Sequence, residues 1–172
     1  MADTYTASVP LEKIEGPIVF TAEELALVEM YKSRYPEQKA ALMRTLWLAQ
    51  KKWGWLSQEV QEYVADLLGL SSAHVKGVAS FYTMYYKKPM GKYHIQVCTN
   101  ISCMLCGGEE LYAHFKERLG IGHNQVTADK KFSLEEVECM GACGYAPMMA
   151  INEDYHENVT IESADVLVNG LS

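Results

Sequence analysis

Cysteine is missing from the whole first half of the chain: residues 1 to 97 contain none. Long hydrophobic runs are missing too. The longest uninterrupted apolar stretch, Tyr145 to Ile151, falls far short of the roughly 18 residues that a transmembrane helix needs, so no direct membrane insertion is expected. Positive charge is in deficit, with 15 Lys+Arg against 22 Asp+Glu and a formal net charge of −7. A nucleic-acid binder more often carries a basic surplus, so DNA and RNA are disfavoured as partners. The opening Met1-Ala2-Asp3-Thr4-Tyr5 has no basic n-region, no apolar h-region and no presequence arginines, so a soluble, cytoplasmic chain is expected. No G-x-G-x-x-G follows a strand pattern and no other dinucleotide fingerprint occurs, so no nucleotide or flavin site is assigned to this chain. The five histidines are scattered and pair with no carboxylate motif. None is expected to be catalytic.

What is present is an ordinary globular composition. Hydrophobic residues make up 49% and charged residues 22% of 172 residues, which fits one compact domain or two small ones. Residues 1–20, with Pro10 and Pro17, read as an extended arm. Thr21-Ala22-Glu23-Glu24 is a capping box for a first helix with Leu25, Val28 and Tyr31 on one face. A second helix is expected over about 37–53, stopped by Gly54, and a third after Ser57 with Val60, Val64, Leu67 and Leu68 inward. A short fourth, capped by Ser71 or Ser72, would carry Val75, Val78 and Phe81. Short connections make residues 21–88 a small helical bundle.

The texture changes at Lys87-Lys88-Pro89-Met90-Gly91. Residues 89–172 then read β-α-β-β-β-α. Tyr93, Ile95 and Val97 alternate with His94 and Gln96 as a half-buried strand running into Cys98. A helix is expected over Glu109–Leu119. A second strand is expected over Phe132–Glu138, with a bulge where Glu135-Glu136 breaks the alternation, and it ends at Cys139. A hairpin turning at Glu153-Asp154 and a last helix capped by Thr160 complete the pattern. The fold class is therefore α+β, a helical bundle followed by an α/β domain.

All five cysteines, Cys98, Cys103, Cys106, Cys139 and Cys143, fall within that second region. A disulfide framework wants a secreted chain and an even count, and neither holds. The pattern Cys98-x4-Cys103 and Cys139-x3-Cys143, with 35 residues between the pairs, begins twice at the end of a strand. If those strands run parallel, both loops reach one edge of the sheet. Four thiolates converging there suit iron or zinc. The spacing favours a 2Fe–2S cluster, whose two irons need wider loops than a zinc knuckle. A zinc-stabilised interaction module remains the alternative of another class. Gly107, Gly108, Gly141 and Gly144 flank the cysteines and allow backbone N–H groups to approach sulfur.

Two segments carry a family resemblance. Val97-Cys98-Thr99-Asn100-Ile101-Ser102-Cys103-Met104-Leu105 and Glu138-Cys139-Met140-Gly141-Ala142-Cys143-Gly144-Tyr145-Ala146-Pro147-Met148-Met149 resemble the two cluster motifs of the thioredoxin-like ferredoxin subunit of the NADH-dehydrogenase module of respiratory complex I. Gly77-Val78-Ala79-Ser80-Phe81-Tyr82-Thr83-Met84 and Ile151-Asn152-Glu153-Asp154-Tyr155 are similar to that family as well. The resemblance spans roughly residues 20 to 170. It implies a thioredoxin-like α/β domain in which Cys98, Cys103, Cys139 and Cys143 ligate one 2Fe–2S cluster. It also implies a one-electron carrier with no catalytic residue of its own. FMN and NADH would be bound by a partner flavoprotein subunit in a heterodimer, within a complex that reduces quinone and lies peripherally on the cytoplasmic side of the inner membrane. Equivalent subunits of NAD-linked hydrogenases and formate dehydrogenases share the motifs. Pro147 stands where thioredoxin-like folds commonly place a cis-proline.

Cys106 lies outside the four-ligand pattern. With Cys103 it forms C-x-x-C, a dithiol spacing, but one residue cannot both ligate a cluster and exchange disulfides. Cys106 reads as a spare thiol. Met104, Met140, Met148 and Met149 read as adaptable packing, the sharper alternative being a dry shell around the centre. The run Phe81-Tyr82 and Tyr85-Tyr86 is either a seam between domains or a docking surface.

Overall fold

A computed structural model describes residues 14–171. Most of the expected arm, residues 1–13, lies outside the described residues. Packing divides the chain into two units, Met1–Pro89 and Met90–Ser172.

The first unit is helical. Helix α1 (Ala22–Ser33) starts at the Thr21 capping box, where the hydroxyl accepts from Glu24 N–H and the Glu24 carboxylate accepts from Thr21 N–H at 2.7 Å. The second helix is shorter than its periodicity implied: Gln38–Ala41 is a 3-10 turn, and α2 runs Leu42–Trp53. Extended Glu37 offers no side-chain cap, and an uncapped first turn tightens to the i→i+3 pattern. Helices α3 (Gln58–Leu68) and α4 (Ser72–Phe81) are capped by Ser57 and Ser71. Leu42, Leu46, Leu56, Val60, Val64, Leu68 and Val75 form an apolar core that includes Tyr85. The Tyr85 hydroxyl donates to the Met43 carbonyl at 2.8 Å, so its one polar atom is satisfied. Gln50 ties the following segment down, donating to Met84 O and accepting from Tyr86 N–H. Phe81 was expected on the core face of α4 but is 78% exposed. It ends the helix, where the chain turns extended at Tyr82.

The second unit holds a five-stranded sheet in the order β2-β3-β1-β4-β5, whose edge strands are β2 (Gln125–Val126) and β5 (Asp154–His156). Central β1 (Tyr93–Cys98) pairs parallel with β3 (Phe132–Val137), His94 opposite Ser133 and Cys98 opposite Val137, and antiparallel with β4 (Met149–Ile151). Ile95, Val97, Leu134, Met149 and Ile151 share one core with Leu111 and Phe115 of α6 (Gly108–Leu119) and with Ala164 and Val168 of α7 (Ile161–Asn169). Thr160 caps α7.

Several sequence expectations are corrected in this unit. The cysteine loop contains a short helix, α5 (Ile101–Leu105), and β2 (Gln125–Val126) adds an edge strand. Register from β1 to β3 continues through Glu135 and Glu136 without a bulge. The β4–β5 hairpin (β5, Asp154–His156) turns at Asn152-Glu153, with Asn152 at φ +57°, a left-handed position that asparagine tolerates better than most residues. Finally, His94 is buried rather than solvent-facing, with the side chains of Ser133 and Glu135 on neighbouring β3 against its ring. Its ring nitrogens lie 2.8 Å from Ser133 Oγ and 2.9 Å from Glu135 Oε2, and His114 likewise meets Asp165 at 2.8 Å. Two histidines therefore do pair with carboxylates, across 41 and 51 residues of chain. Among the described residues no helix is long and apolar enough to cross a membrane.

Candidate metal centre

Parallel pairing of β1 and β3 delivers both cysteine segments to one end of the sheet. Cys98 is the last residue of β1, and Cys139 follows two residues after the end of β3. Asn100 caps α5, which carries Cys103 at its centre. Cys143 opens a 3-10 turn, Cys143–Tyr145. The Ala146–Pro147 peptide that follows is cis.

The four thiols form two unlike pairs. Cys98 and Cys103 are both 2% exposed and pack with buried Met148, against Val137, Met140, Ala142 and Ala146. Burial, followed by the neighbouring Cys98 thiol, pushes the Cys103 thiol up to about 11. Cys139 and Cys143 are exposed, with sulfurs 3.2 Å apart. The hydrogen bond from Cys143 and a second from Gly141 N–H at 3.3 Å hold the Cys139 thiol below its usual range. Cys143 is raised by the same shared bond, while the Ser102 side chain pulls the other way. Charge at Cys143 is felt by Cys103, and charge at Cys98 by Cys143, so the pairs occupy one electrostatic neighbourhood. Among the described residues no three His, Cys, Asp or Glu side chains converge closely enough to hold a single ion.

Two glycines make this packing possible. A Cβ on Gly108 would stand 2.6 Å from the Cys98 carbonyl oxygen and 2.9 Å from the Cys103 backbone, so only glycine lets α6 begin so close to both. Gly141 has φ +91°, a left-handed conformation open to glycine, and turns its N–H onto Cys139 sulfur.

The model of the "Thioredoxin-like [2Fe-2S] ferredoxin" family matches residues 28–172. The chain belongs to that family. It is 43% identical over 141 residues to an NADH-quinone oxidoreductase subunit of Rhizobium meliloti, covering 82% of this chain and 84% of that one. To a subunit of the same enzyme in Rickettsia bellii it is 43% identical over 155 residues, covering 88% and 93%. The corresponding Mycobacterium bovis protein is also 43% identical, over 80% of this chain but 55% of its own length. In fold the chain is similar to a chain of an NAD+-reducing [NiFe]-hydrogenase, with a TM-score of 0.66 and 22% identity over 76% of this chain and 22% of that one.

The donor set of this thioredoxin-like ferredoxin fits an iron–sulfur centre. Burial disfavours a lone thiolate at Cys103, and metal cations supply the compensating charge. Exposed Cys139 and Cys143 already stand side by side, sulfurs in contact, a contact that metal ligation would replace. Cys106 stands apart: it is exposed and ends α5, its N–H donating to Cys103 O at 3.1 Å. Sequence reasoning missed Ser102 and the cross-links at Thr99 and Asn100. Thr99 Oγ1 donates to Glu136 and Asn100 Nδ2 to Glu138, each at 2.9 Å. Those partners lie 37 and 38 residues apart in sequence, and no local motif marks them.

Proposed function

We propose that Cys98, Cys103, Cys139 and Cys143 hold one 2Fe–2S cluster, and that the chain is the one-electron carrier subunit of an NADH:quinone oxidoreductase. Bound there, such a cluster takes up and releases single electrons. The observation that carries the reading is the parallel β1–β3 pairing, which brings a buried and an exposed cysteine pair to the same end of the sheet. Relatives sharing 43% of their residues with this chain are named as subunits of that enzyme.

The residues divide the work. Cys98, Cys103 and Met148 exclude water from one side, which sets the local dielectric and so the potential. Gly141 N–H donates to the Cys139 sulfur and the Ser102 side chain favours the Cys143 thiolate, stabilising thiolate charge. Exposed Cys139 and Cys143 leave the other side open to a redox partner. That partner is a flavoprotein subunit carrying FMN and the NADH site, because a hydride brings two electrons and a single 2Fe–2S centre stores one. The assembled enzyme would sit peripherally on the cytoplasmic face of the membrane.

The test is an anaerobic titration of the purified chain, followed by visible absorbance and spin counting. A reddish-brown protein that NADH leaves oxidised, and that dithionite bleaches with one spin per chain, supports the reading. A colourless, zinc-containing protein sinks it. Rapid reduction by NADH without flavin would mean that the chain itself binds the nucleotide. Subunits that co-purify distinguish a quinone-reducing complex from a hydrogenase or formate dehydrogenase.

A further inference from the structure

The two cysteine segments are fastened to each other by side chains outside the ligand set. Beyond the ends of β1 and β3 the strand register persists: Thr99 N–H donates to Val137 O at 3.2 Å, and Thr99 Oγ1 donates to Glu136 Oε1 at 2.9 Å. One residue further, Asn100 serves both sides at once. Its Oδ1 accepts from Ile101 N–H at 2.7 Å, capping the helix that carries Cys103. Its Nδ2 donates to Glu138 Oε2 at 2.9 Å, and Glu138 immediately precedes Cys139. A single amide thus connects the start of the Cys103 helix to the residue beside Cys139. The connection matters because Cys139 and Cys143 are themselves exposed and Gly141 between them is left-handed, so beyond the packing of Met140, Ala142 and Ala146 on the buried pair the start of this segment is held by Glu138.

We propose that Asn100 is a positioning residue for the metal centre, a clasp that holds the exposed cysteine pair at the distance the buried pair requires. The inference rests on the ligand set proposed above. Asn100 touches no sulfur in its hydrogen bonds; it acts through Glu138 and through the cap of α5. Amide and carboxylate form a charge-assisted pair, and each partner can be exchanged for the other's chemistry without enlarging the site.

The experiment uses the full chain purified with its cluster and follows iron release to a chelator, beside the thermal melting of each variant. Asn100→Ser keeps a good helix cap and the net charge but cannot span to Glu138. It should release iron about tenfold faster, the scale of one lost hydrogen bond to a charged group. Asn100→Asp keeps the cap but sets two carboxylates against each other, and should release faster still. Glu138→Gln leaves an amide oxygen to accept and should release only slightly faster than wild type. The exchanged pair Asn100→Asp with Glu138→Gln restores a donor facing a carboxylate and should return release to near the wild-type rate, a rescue that general loop damage would not give. Wild-type release from Asn100→Ser, or no recovery in the exchanged pair, overturns the clasp. A wild-type chain holding no iron and sulfide overturns the ligand reading and the clasp together. A wild-type chain with its full cluster and an indifferent Asn100→Ser overturns the clasp alone.

Discussion

The two units of this chain solve the problem of polar groups in opposite ways. In the helical unit the few buried polar side chains, Thr45, Gln50, Ser57 and Tyr85, each find backbone partners within an otherwise apolar core. In the sheet unit, thiols, an imidazole and its hydrogen-bonded carboxylate are built into the centre, held by residues from distant strands. The first arrangement stabilises a scaffold through packing and demands no particular chemistry. The second fixes the direction of a few side chains and accepts close-packed or left-handed glycines to do so. Stability and site geometry are thus separately encoded, and substitutions can separate them.

The largest difference should come from the cysteines. Cys98→Ala, Cys103→Ala, Cys139→Ala or Cys143→Ala should each abolish or cripple cluster binding, measured as iron and sulfide per chain. Leu46→Ala, in the bundle core, should cost about 2–5 kcal/mol of unfolding free energy and leave the iron content of the folded fraction unchanged. An intact cluster in Cys143→Ala would break the comparison at its root.

Glycine gives the next test, with opposite signs in the two units. Gly108→Ala forces a Cβ to within 2.6 Å of the Cys98 carbonyl oxygen and should destabilise by about 1–3 kcal/mol, the usual cost of overpacking. Gly77 lies in the exposed face of α4 with nothing within 4 Å of an added Cβ. Gly77→Ala should stabilise by about 0.5–1 kcal/mol, by restricting the unfolded chain and favouring helix. Urea midpoints of the two variants would reveal whether the signs differ.

Acid and alkali should probe the units separately. Burial pushes the Tyr85 hydroxyl up to about 12. A raised folded value means stability that is complete below the ordinary tyrosine range and is lost as pH rises through about 12. All three tryptophans, Trp47, Trp53 and Trp55, lie in the helical unit, so their fluorescence should record this alkaline loss, and Tyr85→Phe should remove it. At Glu135, burial alone would raise the carboxyl, but hydrogen bonds with His94 and Gln96 prevail and hold it below the usual range. A depressed folded value gives stability that is present above the ordinary carboxylate range and lost as pH falls through the folded value. Glu135→Gln should flatten the acid limb of the sheet unit, followed by circular dichroism. The smallest effect belongs to Cys106→Ser, which should leave both cluster content and melting temperature unchanged.

Much of this architecture was readable along the chain, for reasons that are local. The Thr21 box, the Ser57, Ser71 and Thr160 caps and the glycine stops act within four residues, and each helix start those caps specify is observed. Strand β1 ran into Cys98 by simple alternation. What escaped was set by tertiary neighbours. Alternation made His94 look solvent-facing because nothing in the sequence shows that Ser133 and Glu135 of β3 stand against its ring. The adjacent Glu135 and Glu136 looked like a defect, yet each has a hydrogen-bonding partner on the other cysteine-bearing segment, His94 for the first and Thr99 for the second. The candidate ligands could be named in advance; the side chains that orient them could not, since their partners stand 37 and 38 residues away.

The parallel β1–β3 pair has a consequence for how the protein is made. Two parallel neighbours cannot be joined by a tight turn, and here α5, α6 and β2 intervene. Each cysteine pair is local, but bringing the pairs together requires that whole crossover to close, the slow kind of contact in chain folding. A ribosome releasing this protein therefore exports two separate thiol pairs before it exports a site. Metal loading of the nascent chain should lag behind synthesis until β3 has docked, which leaves a window in which the helical unit, with its local contacts, is already formed and the thiols are still open to oxidants.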